Sequence, residues 1–85
     1  MTLPVWELDV VVMPKPGVND PEGEAIRGGL QALGYDGVER VRAGRSIRLR
    51  FAAASAEAAE GLAREMADRL LANPVIEVFE VASVE

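Results

Sequence analysis

At 85 residues the chain is long enough for one small domain, 1–85, and a domain of this size buries only about 60–65 % of its unfolded surface. It has neither cysteine nor histidine, which excludes disulfides and soft metal sites and leaves a partner subunit as the expected supplement to a thin core. A formal charge of −5 opposes general affinity for nucleic acid or anionic lipid.

Absence of cysteine suits a reducing compartment. No apolar run approaches the roughly 18 residues of a membrane span, and Met1-Thr2-Leu3-Pro4 lacks the basic and apolar regions of a signal peptide. The expected location is cytoplasmic, with no membrane and no nucleic acid as partner.

In chain order, Trp6, Leu8, Val10 and Val12 alternate with Glu7, Asp9 and Val11, the period of a strand with one face toward a core. Pro14 and Pro16 stop it. A helix follows, with Asp20 as N-cap, Pro21 at its first position and a stripe at Ile26, Gly29, Leu30 and Leu33. Gly34 ends it, since glycine tolerates the left-handed conformation.

Residues 38–51 predict a hairpin bent at Gly44. A three- or five-residue loop sets Val41 opposite Ile47 and gathers Arg40, Arg42, Arg48 and Arg50 on the other face. Ser55 then caps a second helix whose stripe is Ala59, Leu62, Ala63, Met66 and Leu70, and Asn73-Pro74 ends it. V-I-E-V-F-E-V, residues 75–81, is the last strand. The order βαββαβ predicts an α+β two-layer sandwich, an antiparallel sheet with two helices on one face, ferredoxin-like in broad terms.

Charge sets strand neighbours. Five of the nine basic residues lie between 40 and 50, a cluster that repels itself on a hairpin. Placing the first strand beside the third sets these acids, Glu7 and Asp9, against the pair Arg48 and Arg50.

The loop K-P-G-V-N-D-P-E-G, residues 15–23, resembles a ligand cradle at first sight. A Walker-type loop needs Gly-Lys after four residues; here Gly17 and Gly23 enclose five, and Glu24 follows. Its acids repel phosphate, and Asn19-Asp20-Pro21-Glu22 lacks the alternating oxygens of an EF-hand. The loop is a strand-to-helix connector, with Gly17 at a turn.

Three stretches carry a family resemblance. Gly17-Val18-Asn19-Asp20-Pro21-Glu22-Gly23, Val41-Arg42-Ala43-Gly44-Arg45 and L-L-A-N-P-V-I-E at 70–77 resemble, in order, the signatures of the PurS family, over Val5 to Val81. Family members favour leucine at the position of Asn19, glutamine at Glu22 and often lysine at Arg45; these departures keep the turn and the charge. The resemblance implies a non-catalytic small subunit of phosphoribosylformylglycinamidine synthase, in de novo purine biosynthesis. That enzyme uses ATP and glutamine to turn formylglycinamide ribonucleotide into the amidine. It implies as partners a large synthetase subunit, which uses the ATP and Mg, and a glutaminase subunit, with the small subunit joining them as a homodimer or higher homo-oligomer. No cofactor is expected in this chain.

The residues agree with that role. Glutamine hydrolysis needs a cysteine nucleophile and histidine is the commonest base near neutral pH; the chain has neither, so the isolated chain is expected to be inactive. In the last strand Val75, Phe79 and Val81 share one face and Ile76 and Val78 the other, too apolar for a sheet face left in water. Gly28 lies off the inner stripe of its helix and leaves room for a partner, whereas Gly29 on the stripe implies close packing. Arg42 and Arg45 beside the hairpin tip suit bidentate contact with a partner carboxylate or a substrate phosphate. The partner-contact candidates are Lys15, Gly17, Asp20, Gly28, Arg42, Gly44, Arg45, Asn73, Pro74, Ile76 and Val78.

Three rivals share the strand-helix order. An RNA-binding module needs aromatics on the open sheet face, where this chain has Glu7, Asp9, Arg48 and Arg50. An acylphosphatase-type enzyme wants an arginine in an anion-binding first loop, where this chain has Lys15 followed by acids. An ACT-like small-molecule-sensing dimerisation domain is the main alternative.

Overall fold

The computed structural model describes residues 2–84; Met1, part of the N-terminal stretch read above, and Glu85 lie outside the described residues. The elements are β1 (Val5–Pro14), α1 (Pro21–Ala32), β2 (Arg45–Ala52), α2 (Ala56–Met66), a π-helical turn (Ala67–Leu71) and β3 (Glu77–Val84). The strands form one antiparallel sheet in the order β2-β1-β3, so the class is α+β, as the periodicities predict.

β1 is central because its alternate residues are the most apolar. Leu8, Val10 and Val12 are the largest fully buried side chains. They face Leu49, Ile47 and Arg45 on β2, and Val10 and Val12 face Val81 and Phe79 on β3. On the opposite face the register sets Glu7 against Arg50 and Asp9 against Arg48, so the acids of β1 lie beside the arginines of β2 as charge alone predicts. Arg48 grips Asp9 at 2.8 and 3.0 Å, while Arg50 and Glu7 approach to 3.9 Å.

α2 starts where Ser55 accepts from the Ala58 N–H at 3.1 Å. Its inner face is Ala59, Ala63 and, in the turn that follows, Ala67, all fully buried. Methyl side chains at this spacing let the helix backbone lie close to the sheet. Leu62 and Leu70, expected on that stripe, point outward, Leu70 with 83 % of its surface exposed. After Ala67 the helix widens into the π-helical turn, where Ala72 N–H donates to Ala67 O at 2.9 Å, and the wider turn shifts the facing of the residues that follow, Leu70 among them. At the other end of the sheet, Trp6 Nε1 donates to Ala53 O at 2.9 Å.

The largest departure from the sequence reading concerns residues 21–44. No hairpin forms at Gly44, and residues 38–44 are not a strand. The chain runs straight through Gly44 into β2, because the backbone there finds its partners in the loop after β1. A side chain at Gly44 would strike the Val12 carbonyl and the Met13 sulfur, so only glycine passes at this distance.

The helix α1 also leaves the sheet. Of its residues only Gly23 is buried, while Ile26 and Leu33, expected to face the core, are 43 % and 75 % exposed. Gly29, expected to permit close packing, has no neighbour in the space a side chain would fill. Only α2 of the two helices packs on the sheet. α1 and the return segment 33–44 form an arm, turned at Gly34 with φ +100°, and the molecule extends 57 × 27 × 14 Å.

Candidate functional site

The arm leaves the sheet at a junction where three distant stretches meet: the loop 15–23, the segment 41–45 and the turn 71–77. Asp20 is its pivot. One carboxylate oxygen accepts from the Gly23 N–H at 2.9 Å and starts α1; the other accepts from the Ala43 N–H at 2.8 Å. The hydrogen bond from Gly23, then that from Ala43, hold the carboxyl below its ordinary pKa, and the nearby Arg42 charge adds to them. Thus one side chain caps a helix and pins the returning segment to it. Gly23 has to be glycine because the Val41 carbonyl and the Asp20 carboxylate occupy the space of a side chain.

Arg42 completes the connection. Its guanidinium donates to Lys15 O at 2.7 Å and to Val18 O at 3.1 Å, satisfying carbonyls that a turn leaves without strand partners. Gly17, at φ +85°, makes that turn, and Lys15 contributes its backbone rather than its amine. Its N–H donates to Ile76 O at 2.8 Å, which joins the loop to the last stretch.

Arg45 binds that last stretch from the other side. It forms two bonds to Glu77, at 2.6 and 3.1 Å, and donates also to Leu71 O. Glu77 accepts in addition from the Asn73 N–H at 2.7 Å. The Arg45 hydrogen bond first, and the Asn73 N–H second, lower the Glu77 pKa. Asn73 folds the turn on itself: its side chain accepts from the Val75 N–H at 3.1 Å and its carbonyl from the Ile76 and Glu77 N–H groups, with Pro74 between them.

The sequence-predicted residues therefore divide. Lys15, Gly17, Asp20, Arg42, Gly44, Arg45, Asn73 and Pro74 come together at the junction. The side chains of Asp20, Arg42, Arg45 and Asn73 bond within the chain, and Arg42 and Arg45 flank no hairpin tip. Ile76 and Val78 lie beside them and are exposed, as are Val75 and Leu70. Gly28 stands apart on the open arm. A shallow cleft of ≈ 360 Å³ runs between loop and turn, lined by Val18, Asn19, Glu22, Gly44, Ile76 and Glu77 among others.

Sequence reasoning missed Glu77, Gly23 and Leu70. Glu77 sits 32 residues from Arg45, and nothing local marks the pair. Gly23 belongs to the loop motif, but nothing in the sequence marks its close approach to the Val41 carbonyl.

Chemically, the junction offers bound carboxylates, bound guanidinia and open apolar side chains. Among the described residues no group of three or more acidic side chains is placed to hold a metal ion, and no helix is long and apolar enough to cross a membrane. The class is that of a small α+β subunit with much of its apolar surface uncovered. A family model described as PurS, phosphoribosylformylglycinamidine (FGAM) synthase, matches residues 7–85, and the chain belongs to this family. The PurS subunit of FGAM synthase from Synechocystis sp. is 45 % identical over 78 residues, 89 % of this chain and 78 % of that protein. The crystal structure of the Thermotoga maritima PurS subunit superposes with a TM-score of 0.90 at 32 % identity, covering 99 % of this chain and 97 % of that one. A chain in the structure of PurLQS from the same organism matches with a TM-score of 0.87 at 32 % identity, covering 96 % of this chain and 100 % of that one. All three motifs that carry the resemblance converge on the junction.

Proposed function

We propose that the chain is the non-catalytic bridging subunit of an FGAM synthase, joining the synthetase and glutaminase chains in the cytoplasm and working as a homo-oligomer. The observation that carries this is the convergence of the three family motifs on a junction where Asp20, Arg42, Arg45 and Glu77 bond within the chain, beside open apolar residues at 70, 75, 76 and 78. A frame pinned in this way, with apolar edges, suits docking between larger proteins. Support also comes from the PurLQS structure, which contains a chain of the same fold.

On this reading the cysteine nucleophile, the ATP and Mg sites and the base belong to the partners. Formylglycinamide ribonucleotide, glutamine and ATP meet there, and this chain keeps glutaminase and synthetase together so that ammonia is used where it is released. The test is reconstitution. Synthetase and glutaminase mixed without this chain should give little glutamine-dependent amidine; adding the chain should restore it, and the chain alone should turn over nothing. Equal glutamine-dependent rates with and without the chain would refute the role. The ACT-like alternative is not favoured, because the cleft is shallow and open.

A further inference from the structure

In the order β2-β1-β3 no strand pairs with the far side of β3, and its ladder to β1 shows which backbone groups are left over. Lys15 N–H donates to Ile76 O at 2.8 Å, and the register that sets Pro14 against Glu77 places Lys15 opposite Ile76. That pair belongs to the hydrogen-bonded set. Because an antiparallel ladder alternates, Val78, Glu80 and Ala82 also turn their backbone groups toward β1. Phe79, Val81 and Ser83 turn theirs outward.

The side chains beside this edge are mixed. On the helix side a cleft of ≈ 290 Å³ runs between the π-helical turn and the strand, with Asp68, Ala72, Pro74 and Phe79 in its wall. On the opposite face alternation puts Val78 and Glu80 together; Val78 is 46 % exposed, and Val75 just before it 77 %. Among the described residues Asp68 and Glu80 make no ion pair. Charge alone would guard an edge against pairing. An open cleft and bare valines beside it do the opposite.

We propose that this edge takes up an extended segment of a partner chain, one in which apolar and basic residues alternate. Its backbone meets the N–H and C=O groups of Phe79, Val81 and Ser83, an apolar side chain enters the cleft, and a lysine or arginine on the other face meets Glu80. Main-chain bonds supply affinity in such strand addition, and the pockets for alternate side chains supply selectivity. The carboxylate of Asp68 and the net charge of −5 favour the same cations. A second copy does not fit. The fullest two-fold pairing of β3 with itself, Glu77 against Ser83, sets Glu80 opposite its own copy, where like charges repel. Adding the β2 edge of another copy is a head-to-tail contact that does not close. The inference rests on the bridging reading for the existence of a partner and names how that partner is held.

The test uses the chain reconstituted with synthetase and glutaminase. Val81→Pro removes one outward N–H and no bond to β1, a change an edge strand tolerates; Val81→Ala trims the same side chain and keeps the N–H. The proline variant should bind the partners about tenfold more weakly than the alanine variant, with the β-sheet circular dichroism of both retained. Glu80→Lys should weaken binding at low salt, and the loss should shrink as salt is raised. Photo-cross-linking from p-benzoylphenylalanine in place of Val78 should capture one partner peptide of alternating apolar and basic residues. If the proline variant loses its sheet signal, Glu80→Lys and the cross-link decide. Equal affinities of the proline and alanine variants, an indifferent Glu80→Lys, or capture of another copy of this chain or of a segment without basic residues would each overturn the strand addition. The bridging role survives those results as long as the wild-type chain restores glutamine-dependent amidine; a wild-type chain that binds neither partner removes both.

Discussion

Arg45 holds Glu77 with both arms of its guanidinium, Nη1 on Oε2 at 2.6 Å and Nη2 on Oε1 at 3.1 Å, and so ties β2 to β3 across the end of β1. The same guanidinium reaches Leu71 O, at the exit of the π-helical turn. A planar fork makes these contacts together; a lysine, as a point charge, cannot.

Arg45→Lys should therefore change melting temperature little, since the arginine is half-exposed and such pairs are weak in global terms. Locally it should do more. Amide hydrogen exchange at residues 73–77 should accelerate, because Glu77 is the acceptor for Asn73 N–H and would lose its own anchor. Unchanged protection there would show that the turn is held by its own Asn73 bonds.

Acid should loosen the junction before the core. Asp9, Asp20 and Glu77 all have folded-state pKa values below the ordinary ones, through Arg48, through the Gly23 and Ala43 amides, and through Arg45 respectively. A depressed carboxyl contributes stability above its unfolded pKa and loses it as pH falls through the folded one. With no histidine, the melting temperature should be level through neutral pH and fall below about pH 4. Asp20→Asn keeps a competent helix cap and should flatten part of that fall; a pH profile by differential scanning calorimetry measures both.

The glycines should part company. Gly44→Ala places a methyl group against the Val12 carbonyl and Met13 sulfur and should cost about 1–3 kcal/mol in urea unfolding. Gly28→Ala and Gly29→Ala meet nothing and should stabilise α1 by up to about 1 kcal/mol each, seen as increased helical circular dichroism. If Gly28 is a partner contact, its alanine variant should also weaken assembly on a sizing column.

The inner face of α2 should resist enlargement. Ala63→Leu forces the helix off the sheet and should cost about 1–3 kcal/mol. Leu70→Ala, on a side chain 83 % exposed, should alter the stability of the separate chain by less than about 0.5 kcal/mol. Chemical denaturation of the two variants separates a packing position from a contact position.

Much of the sheet was legible because its signals are local or electrostatic. Alternation marks β1, Asp20 and Ser55 mark the helix starts, Gly34 marks an end, and the acids of β1 select Arg48 and Arg50 as neighbours. The stripe of α1 and the apolar residues Val38 and Val41 say that these faces want cover. They do not say whether the cover belongs to the same chain, and that is why the hairpin and the second packed helix were expected. A fixed helical period also carries the stripe of α2 on to Leu70, since the single wider turn after Ala67 leaves no compositional mark. The junction was legible as three separate motifs but not as one place, because Arg45 and Glu77, or Arg42 and Lys15, meet only after the chain has folded.

The single tryptophan and the single tyrosine fall on opposite sides of this division of labour. Trp6 is bonded to Ala53 within the sheet, while Tyr35 stands 60 % exposed at the tip of the arm. The molecule thus carries two intrinsic fluorescent reporters: indole emission follows unfolding of the body, and phenol emission follows the fate of the limb. Burial of the limb in an assembly and melting of the body can be watched in one cuvette, at two wavelengths, without a label.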